Sequence, residues 1–154
     1  MPTIAVFPGS FDPITIGHEN IVKRALPLFD EIVIGIGNNS QKKYFFSLEK
    51  REEFARRTFE GIKKVRIVTY DGLTVNFCKQ IGAAHILRGL RTSADFEFER
   101  AIAQMNQAMS SGIDTVFLVS DPSMSHISST IVREILLYKG DVSIFVPEAV
   151  KASL

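Results

Sequence analysis

Four stretches of the sequence combine residue types that suit the handling of phosphate. The first is Pro8-Gly9-Ser10-Phe11-Asp12-Pro13-Ile14-Thr15-Ile16-Gly17-His18. Its two glycines let backbone approach a ligand closely, and they precede a helix start whose free N–H groups and positive dipole end attract an anion. His18 is there in position to donate to a phosphate oxygen. Read alone, the stretch fits a plain turn followed by a surface histidine equally well. The second, Leu87-Arg88-Gly89-Leu90-Arg91, sets two guanidinium forks around a glycine. Such forks match phosphate oxygens, and they equally match the carboxylates of Asp95, Glu97 or Glu99 in structural ion pairs. The third, Ile127-Ser128-Ser129-Thr130-Ile131-Val132-Arg133, opens a helix with three consecutive hydroxyls, of which capping needs one. The fourth, Asn38-Asn39-Ser40-Gln41-Lys42-Lys43, reads by itself as a solvated polar loop.

These stretches need a scaffold that gathers loop ends, and the apolar pattern supplies one. Short runs rich in Val and Ile recur at residues 3–7, 31–36, 65–70, 84–87 and 115–119, separated by longer polar-patterned segments. That is a βαβα alternation. Runs apolar throughout, such as Ile32-Val33-Ile34 and Val116-Phe117-Leu118-Val119, suit strands covered on both faces of a parallel sheet. The spacing predicts a helix over about residues 17–28, with Pro27 kinking or ending its last turn, and another over 47–59 capped by Ser47. In the latter, Leu48, Ala55, Phe59 and Ile62 share one side, and the alternating Glu, Lys and Arg form a solvated face. Further helices are predicted over 73–81 closed by Gly82, over 93–109 capped by Ser93, and over 130–138 closed by Gly140. The fold expected is a doubly wound, Rossmann-like α/β domain with a mainly parallel five-stranded sheet, one domain over residues 1–154. In such open sheets ligands bind beyond the carboxyl ends of the strands, where all four stretches fall.

Composition narrows the function classes. Lys plus Arg number 18 against 17 Asp plus Glu, a net charge of +1, which argues against a nucleic-acid coat or a polybasic membrane anchor. No apolar run has the length of a membrane span, and residues 1–8 carry neither the basic start nor the apolar stretch of a signal peptide. The one cysteine, Cys78, excludes an internal disulfide framework and fits a reducing compartment, with cytoplasm expected. Cys78 reads as a small buried apolar residue and His85 as a packed one. Phe45-Phe46 and the other phenylalanines are assigned to the core. Gly35-Ile36-Gly37-Asn38-Asn39-Ser40 lacks the third glycine of a dinucleotide fingerprint, and no Walker A sequence is present. His18, His85 and His126 share no metal-ligand spacing with one another or with Cys78, so no protein metal site is expected.

Taken together, P-G-S-F-D-P-I-T-I-G-H, R-G-L-R at 88–91 and I-S-S-T-I-V-R at 127–133 resemble the bacterial phosphopantetheine adenylyltransferase family, within the wider T/H-x-G-H nucleotidylyltransferase superfamily. The resemblance covers nearly the whole chain. It implies transfer of AMP from ATP to 4′-phosphopantetheine, giving dephospho-coenzyme A and pyrophosphate in the penultimate step of coenzyme A synthesis. Carried over residue by residue, it implies that Ser10, Phe11 and His18 hold ATP, with His18 stabilising the transition state. Gly89, Leu90, Arg91 and Glu99 would also meet the nucleotide, and Met124, Ser125, His126, Ile127, Ser128, Ser129 and Thr130 would wrap its adenine and phosphates. Ser10, Lys42, Thr74 and Arg88 would hold the phosphopantetheine arm and its phosphate. Lys42 and Arg91 join His18 as the catalytic set, and Mg²⁺ would arrive on the phosphates of ATP. The resemblance further implies strand order 3-2-1-4-5, a homohexamer, and coenzyme A as a candidate feedback ligand. Apolar positions around Phe96, Phe98 and Met105, and the segment 147–154, are the expected subunit contacts.

Some positions depart from the family pattern. Ser10 stands for a more usual threonine, Phe98 for tyrosine, and Met124 for an aromatic residue. Tyr44 stands where proline is expected, and is expected to loosen the loop carrying Lys42. Rival readings are weaker. A cytidylyltransferase would show R-T-x-G-I-S-T-T, a pyridine-mononucleotide adenylyltransferase a different first motif and a longer chain. A synthetase fragment would need a tRNA-binding domain. A non-catalytic nucleotide sensor would have no use for a second polyanion site.

Overall fold

A computed structural model describes all 154 residues. Five strands form one sheet in the order β3-β2-β1-β4-β5, every neighbouring pair parallel. They are β1 Ile4–Gly9, β2 Glu31–Gly37, β3 Val65–Tyr70, β4 His85–Leu90 and β5 Asp114–Val119. Between and after them come α1 Ile16–Ala25, α2 Leu48–Thr58, α3 Thr74–Ile81, α4 Ser93–Met109, α5 Ser129–Leu137 and α6 Glu148–Lys151.

Strand alternation sorts the core onto two faces. Ala5, Phe7, Ile32, Ile34 and Ile36 point to the larger core, where α1, α2, α5 and α6 add Val22, Phe54, Ala55, Val132 and Val150. Val6, Val33 and Ile86 point the other way, onto Val75, Phe77 and Cys78 of α3. The wholly apolar run of β2 is thereby buried from Ile32 to Ile36, as a strand covered on both faces should be. β5 differs from its expectation: it lies at the sheet edge, partly exposed, with Val119 68% accessible. Its Phe117 meets Phe96 of α4 with ring centroids 6.0 Å apart, but α4 buries only Glu99. Phe45, Phe96 and Phe98 are exposed rather than core residues.

Local chemistry moves several predicted boundaries. Pro27 ends α1 early, and residues 26–28 form a 3-10 turn instead of a last α turn. Thr92, not Ser93, caps α4, its hydroxyl accepting from Asp95 N. In the turn after α5 it is Lys139 that takes the left-handed backbone, at φ 58°. Gly140 serves close packing instead, since a Cβ there would lie 2.5 Å from Ile135 Cγ2. The terminal α6 packs Ala149 and Val150 into the chain's own core, so most of segment 147–154 does not offer a free apolar surface.

One irregularity prepares the site. β1 and β2 pair along all of residues 4–9, but β1 and β4 pair only through Ala5–His85 and Val6–Ile86. Pro8 has no N–H to continue the ladder. The two strands separate beyond it, and the Arg88 side chain crosses the gap to donate to the Pro8 carbonyl at 2.6 Å. Arg88, Gly89 and Leu90 belong to β4, which ends three residues beyond the apolar run. The opening lies at the switch point, where β2 and β4 flank β1 on opposite sides and the strand order reverses.

Candidate active site

The separated strand ends open into two adjoining cavities, one of about 750 Å³ and one of about 330 Å³. Both are walled by Pro8, Gly9, Ser10, Lys42, Arg88 and Glu99, so these residues form the seam between two ligand-sized spaces. All four residues assigned to the phosphopantetheine arm, Ser10, Lys42, Thr74 and Arg88, line the larger lobe. Of the residues assigned to ATP, Ser10, Phe11, His18, Gly89, Arg91, Glu99, Met124, Ile127, Ser128, Ser129 and Thr130 line the smaller one. Leu90, Ser125 and His126 lie outside that wall. Ser125 Oγ donates to Pro122 O at 3.2 Å, and the His126 ring packs edge-on against Phe145, centroids 6.2 Å apart.

His18 is the third residue of α1 and is held by the cap. Thr15 Oγ1 accepts from His18 N at 3.3 Å while Thr15 N donates to His18 Nδ1 at 3.0 Å, a capping box with histidine in the usual Glu/Gln place. Because Nδ1 accepts, the ring proton sits on Nε2, which is left as a donor for the cavity. Phe11 packs edge-on against the imidazole at 4.9 Å and Phe7 at 6.0 Å. Burial first, and then the Arg88 and Arg91 guanidiniums, push the His18 pKa down to about 4, so the ring is neutral at pH 7. Phe11 itself adopts φ 47°, a left-handed backbone uncommon for a bulky residue, at the rim of the site.

The arginines are oriented by carboxylates. Arg88 makes a two-point fork with Glu99, at 3.0 and 2.7 Å, and Arg91 Nε reaches Asp95 at 3.3 Å while its Nη1 donates to Ile127 O at 3.1 Å. Glu99 therefore reaches the seam as the partner of Arg88. Lys42 Nζ lies 3.0 Å from Ser10 Oγ. The three hydroxyls at the start of α5 all have tasks: Ser128 caps Ile131 N, Ser129 donates to Pro13 O, and Thr130 accepts from Arg133. What this arrangement leaves for an anion is the pair of backbone N–H groups of Ser129 and Thr130, at the first turn of the helix, with the O–H protons of Ser128 and Thr130, whose oxygens only accept. Thr74 Oγ1 lies 2.8 Å from Tyr70 OH, and burial raises the Tyr70 pKa. The Tyr70 ring stacks on Phe77 at 4.5 Å.

Two buried charged residues that the sequence reading missed hold this site. Arg51 lies on the supposedly solvated α2 face yet is 1% exposed, donating to the carbonyls of Ser10 at 2.9 Å, Gly37 at 3.2 Å and Phe46 at 3.3 Å. Its spacing three after Leu48 and four before Ala55 was the available signal. Burial pulls its pKa down, and the nearby Asp12 carboxylate acts against that. Asp12 is 2% exposed and accepts from Phe45 N and Phe46 N at 2.7 and 2.8 Å, tying the first loop to the segment after Lys42. Tyr44 does not loosen that segment. Its ring centroid lies 3.8 Å from Arg51 Cζ and its hydroxyl accepts from Asn39 N at 2.8 Å. Away from the site, burial pushes the Cys78 thiol up to about 11, so it is no nucleophile at neutral pH. His85 packs against Phe29 with its Nδ1 unpartnered.

No group of three or more His, Cys, Asp or Glu side chains is arranged to hold a metal ion. The carboxylates around the smaller lobe are all engaged, Asp12 by two amides, Asp95 by Arg91 and Glu99 by Arg88. No helix is long and apolar enough to cross a membrane.

The all-parallel sheet opens at its switch point, where doubly wound α/β proteins bind their ligands, and the chain matches the cytidylyltransferase-like family over residues 6–135, which places it among the nucleotidyltransferases. Proteins named phosphopantetheine adenylyltransferase align with it over 147 residues, 96% of this chain. That of Flavobacterium psychrophilum is 55% identical over 97% of its length, that of Flavobacterium johnsoniae 56% over 96%, and that of Bacteroides thetaiotaomicron 47% over 97%. The chain belongs to the phosphopantetheine adenylyltransferase family.

Proposed function

We propose that this chain transfers AMP from ATP to 4′-phosphopantetheine, with the nucleotide in the smaller lobe and the pantetheine arm in the larger. The observation that carries the reading is the seam: Ser10, Lys42 and Arg88 border both spaces, where a phosphate from each substrate must meet. A phosphate oxygen of phosphopantetheine attacks the α-phosphorus of ATP. A new P–O bond forms as the bond to the bridging oxygen breaks, and pyrophosphate leaves with the electron pair. The nucleophile is already an oxyanion at pH 7, so the protein supplies position and charge rather than a base or a covalent intermediate.

The charge supply is modest. Lys42, Arg88, Arg91 and Arg133 line the smaller lobe against Asp12, Asp95 and Glu99, so directed donors matter more than net charge. His18 Nε2–H, the Ser129 and Thr130 amides, and the two carboxylate-oriented guanidiniums are such donors, fixed before the substrates arrive. ATP enters as its Mg²⁺ complex, the ion belonging to the substrate. Coenzyme A, which shares the pantetheine arm, would compete for the larger lobe as a feedback ligand. The buried thiol of Cys78 suits a reducing cytoplasm.

A homohexamer is the assembly proposed, supported by the unpartnered apolar row of α4: Phe98 and Met105 are 68% and 65% exposed. Light scattering on the purified chain reads its mass directly, and a monomer would reject the assembly.

Pyrophosphate release with Mg²⁺, ATP and 4′-phosphopantetheine tests the reaction. Release that requires both substrates is expected. Release with CTP or nicotinamide mononucleotide instead, or ATP binding without release, rejects it. Lys42→Ala is expected to weaken 4′-phosphopantetheine binding by about 10- to 100-fold, the scale of one charge-assisted contact, with ATP affinity changed far less. Calorimetric titration with each substrate measures both, and an unchanged phosphopantetheine affinity would remove Lys42 from its role.

A further inference from the structure

We propose that Tyr44 is the positioning residue for Lys42, holding its ammonium at the seam through a ring anchored on the buried Arg51 guanidinium. The inference rests on the reading above that Lys42 meets the phosphate of the second substrate.

Lys42 belongs to an exposed loop between β2 and α2, and a lysine there would ordinarily sample many rotamers. Its two contacts are a hydroxyl and a ring: Ser10 Oγ at 3.0 Å, and the Tyr44 ring, with Nζ 5.5 Å from the centroid. Both contacts lead back to one rigid group. Arg51, buried and fixed by three carbonyls, holds the Ser10 backbone through its 2.9 Å bond and carries the Tyr44 ring 3.8 Å from its Cζ. The Tyr44 hydroxyl, accepting from Asn39 N at 2.8 Å, ties the far end of the ring to the start of the same loop.

This arrangement solves a problem that an ion pair would not. A carboxylate would fix Lys42 firmly but cancel its charge and compete with the incoming phosphate. A ring face attracts the ammonium within about 6 Å and leaves its charge available. Arg51, whose Nε and Nη1 donate to three carbonyls and which is 1% exposed, anchors the ring without lining either lobe.

The test is a double-mutant cycle on the full-length protein. Affinity for 4′-phosphopantetheine is measured by calorimetry for wild type, Y44A, Y44F, K42A and the Y44A/K42A pair, with ATP affinity as the second readout. Y44A is expected to weaken 4′-phosphopantetheine binding about tenfold while changing ATP affinity less than about twofold. Y44F keeps the ring, gives up only an acceptor for a solvent-exposed amide, and is expected to stay within about twofold of wild type. On the K42A background, Y44A is expected to add less than about twofold, because the group it positions is gone.

A further tenfold loss on the K42A background, or a Y44F protein as weak as Y44A, overturns the proposal. The free protein gives a readout that needs no substrate. The Lys42 Hε resonances should be shifted upfield by the ring, an effect kept in Y44F and lost in Y44A. A ring-dependent shift in a protein that releases no pyrophosphate would reject the adenylyl-transfer reading while upholding the clamp. An active enzyme with no such shift would do the reverse.

Discussion

Replacing His18 by alanine is expected to lower the turnover of pyrophosphate release on the order of 10²- to 10³-fold, the scale for removing one oriented donor from a developing phosphate charge. The imidazole is held for that task from behind. Thr15 N occupies Nδ1 at 3.0 Å, so Nε2–H is the free donor, and Phe11 and Phe7 fix the plane of the ring. Alanine also deletes half of the capping box and leaves the buried Thr15 amide unpaired, at a cost of about 1 kcal/mol in stability. His18→Gln separates the two effects. Glutamine is a common third residue of a capping box and can accept from Thr15 N, so the fold should be restored while turnover stays low. Steady-state kinetics beside urea denaturation distinguish them, and a His18→Gln enzyme of near-wild-type turnover would remove the imidazole from the mechanism.

The same residue makes a pH prediction of definite sign. With its folded pKa pushed down to about 4 against 6.5 for the free side chain, His18 stays neutral in the folded protein where the unfolded chain has already bound a proton. Between pH 6.5 and 4 the unfolded state therefore carries more protons at this site. The His18 contribution to stability falls as pH drops through that window and levels off below it. Above pH 6.5 it is constant. The ring resonances of His18 should titrate near pH 4 in the free enzyme and move to higher pH when ATP brings negative charge alongside. A midpoint near 6.5 would show that the ring is solvated and would weaken its reading as a neutral, preoriented donor.

The architecture was legible because its signals are local. Buried runs such as Ile32-Val33-Ile34 with turn chemistry after them announce strands covered on both faces, and the βαβα order leaves few topologies for a parallel sheet. Less legible was anything decided by a contact distant in sequence. Arg51 looks like one more charge on a solvated helix until Ser10, 41 positions away, is seen to need its donor. Asp12 looks like a turn residue until it is found accepting from the amides of Phe45 and Phe46. Tyr44, expected to free its loop, binds it instead, because the consequence of a substitution for proline depends on what the new ring can reach. The splaying of β1 from β4 has its cause in the sequence, at Pro8, but its effect appears only when the partner strand is in place. In the motifs the residue types were informative, while their division of labour was not. Three hydroxyls at the start of α5 invite assignment to phosphate as equals, yet Ser129 spends its proton on Pro13 O while Ser128 and Thr130 only accept and keep theirs.

Arg88 carries the second large expectation, and its geometry makes the test discriminating. Arg88→Ala should lower kcat/KM on the order of 10³-fold, comparable to loss of an arginine from a phosphoryl-transfer site, because the guanidinium borders both lobes. It should also cost about 2 kcal/mol in stability by stranding Glu99, whose side chain is only 10% exposed. That is less than for a fully buried pair, because Arg88 keeps 31% exposure. Adding Glu99→Gln removes the stranded charge. The double variant should regain most of the stability, read by urea midpoint, and none of the activity, since the cation that meets the phosphates is still missing. Arg88→Lys should recover little, because an ammonium cannot make the two-point fork to Glu99 at 3.0 and 2.7 Å and also reach Pro8 O at 2.6 Å. If the double variant regained turnover along with stability, Arg88 would be a scaffold residue that balances Glu99, and the positive charge at the seam would have to come from Lys42, with Arg91 acting from the smaller lobe.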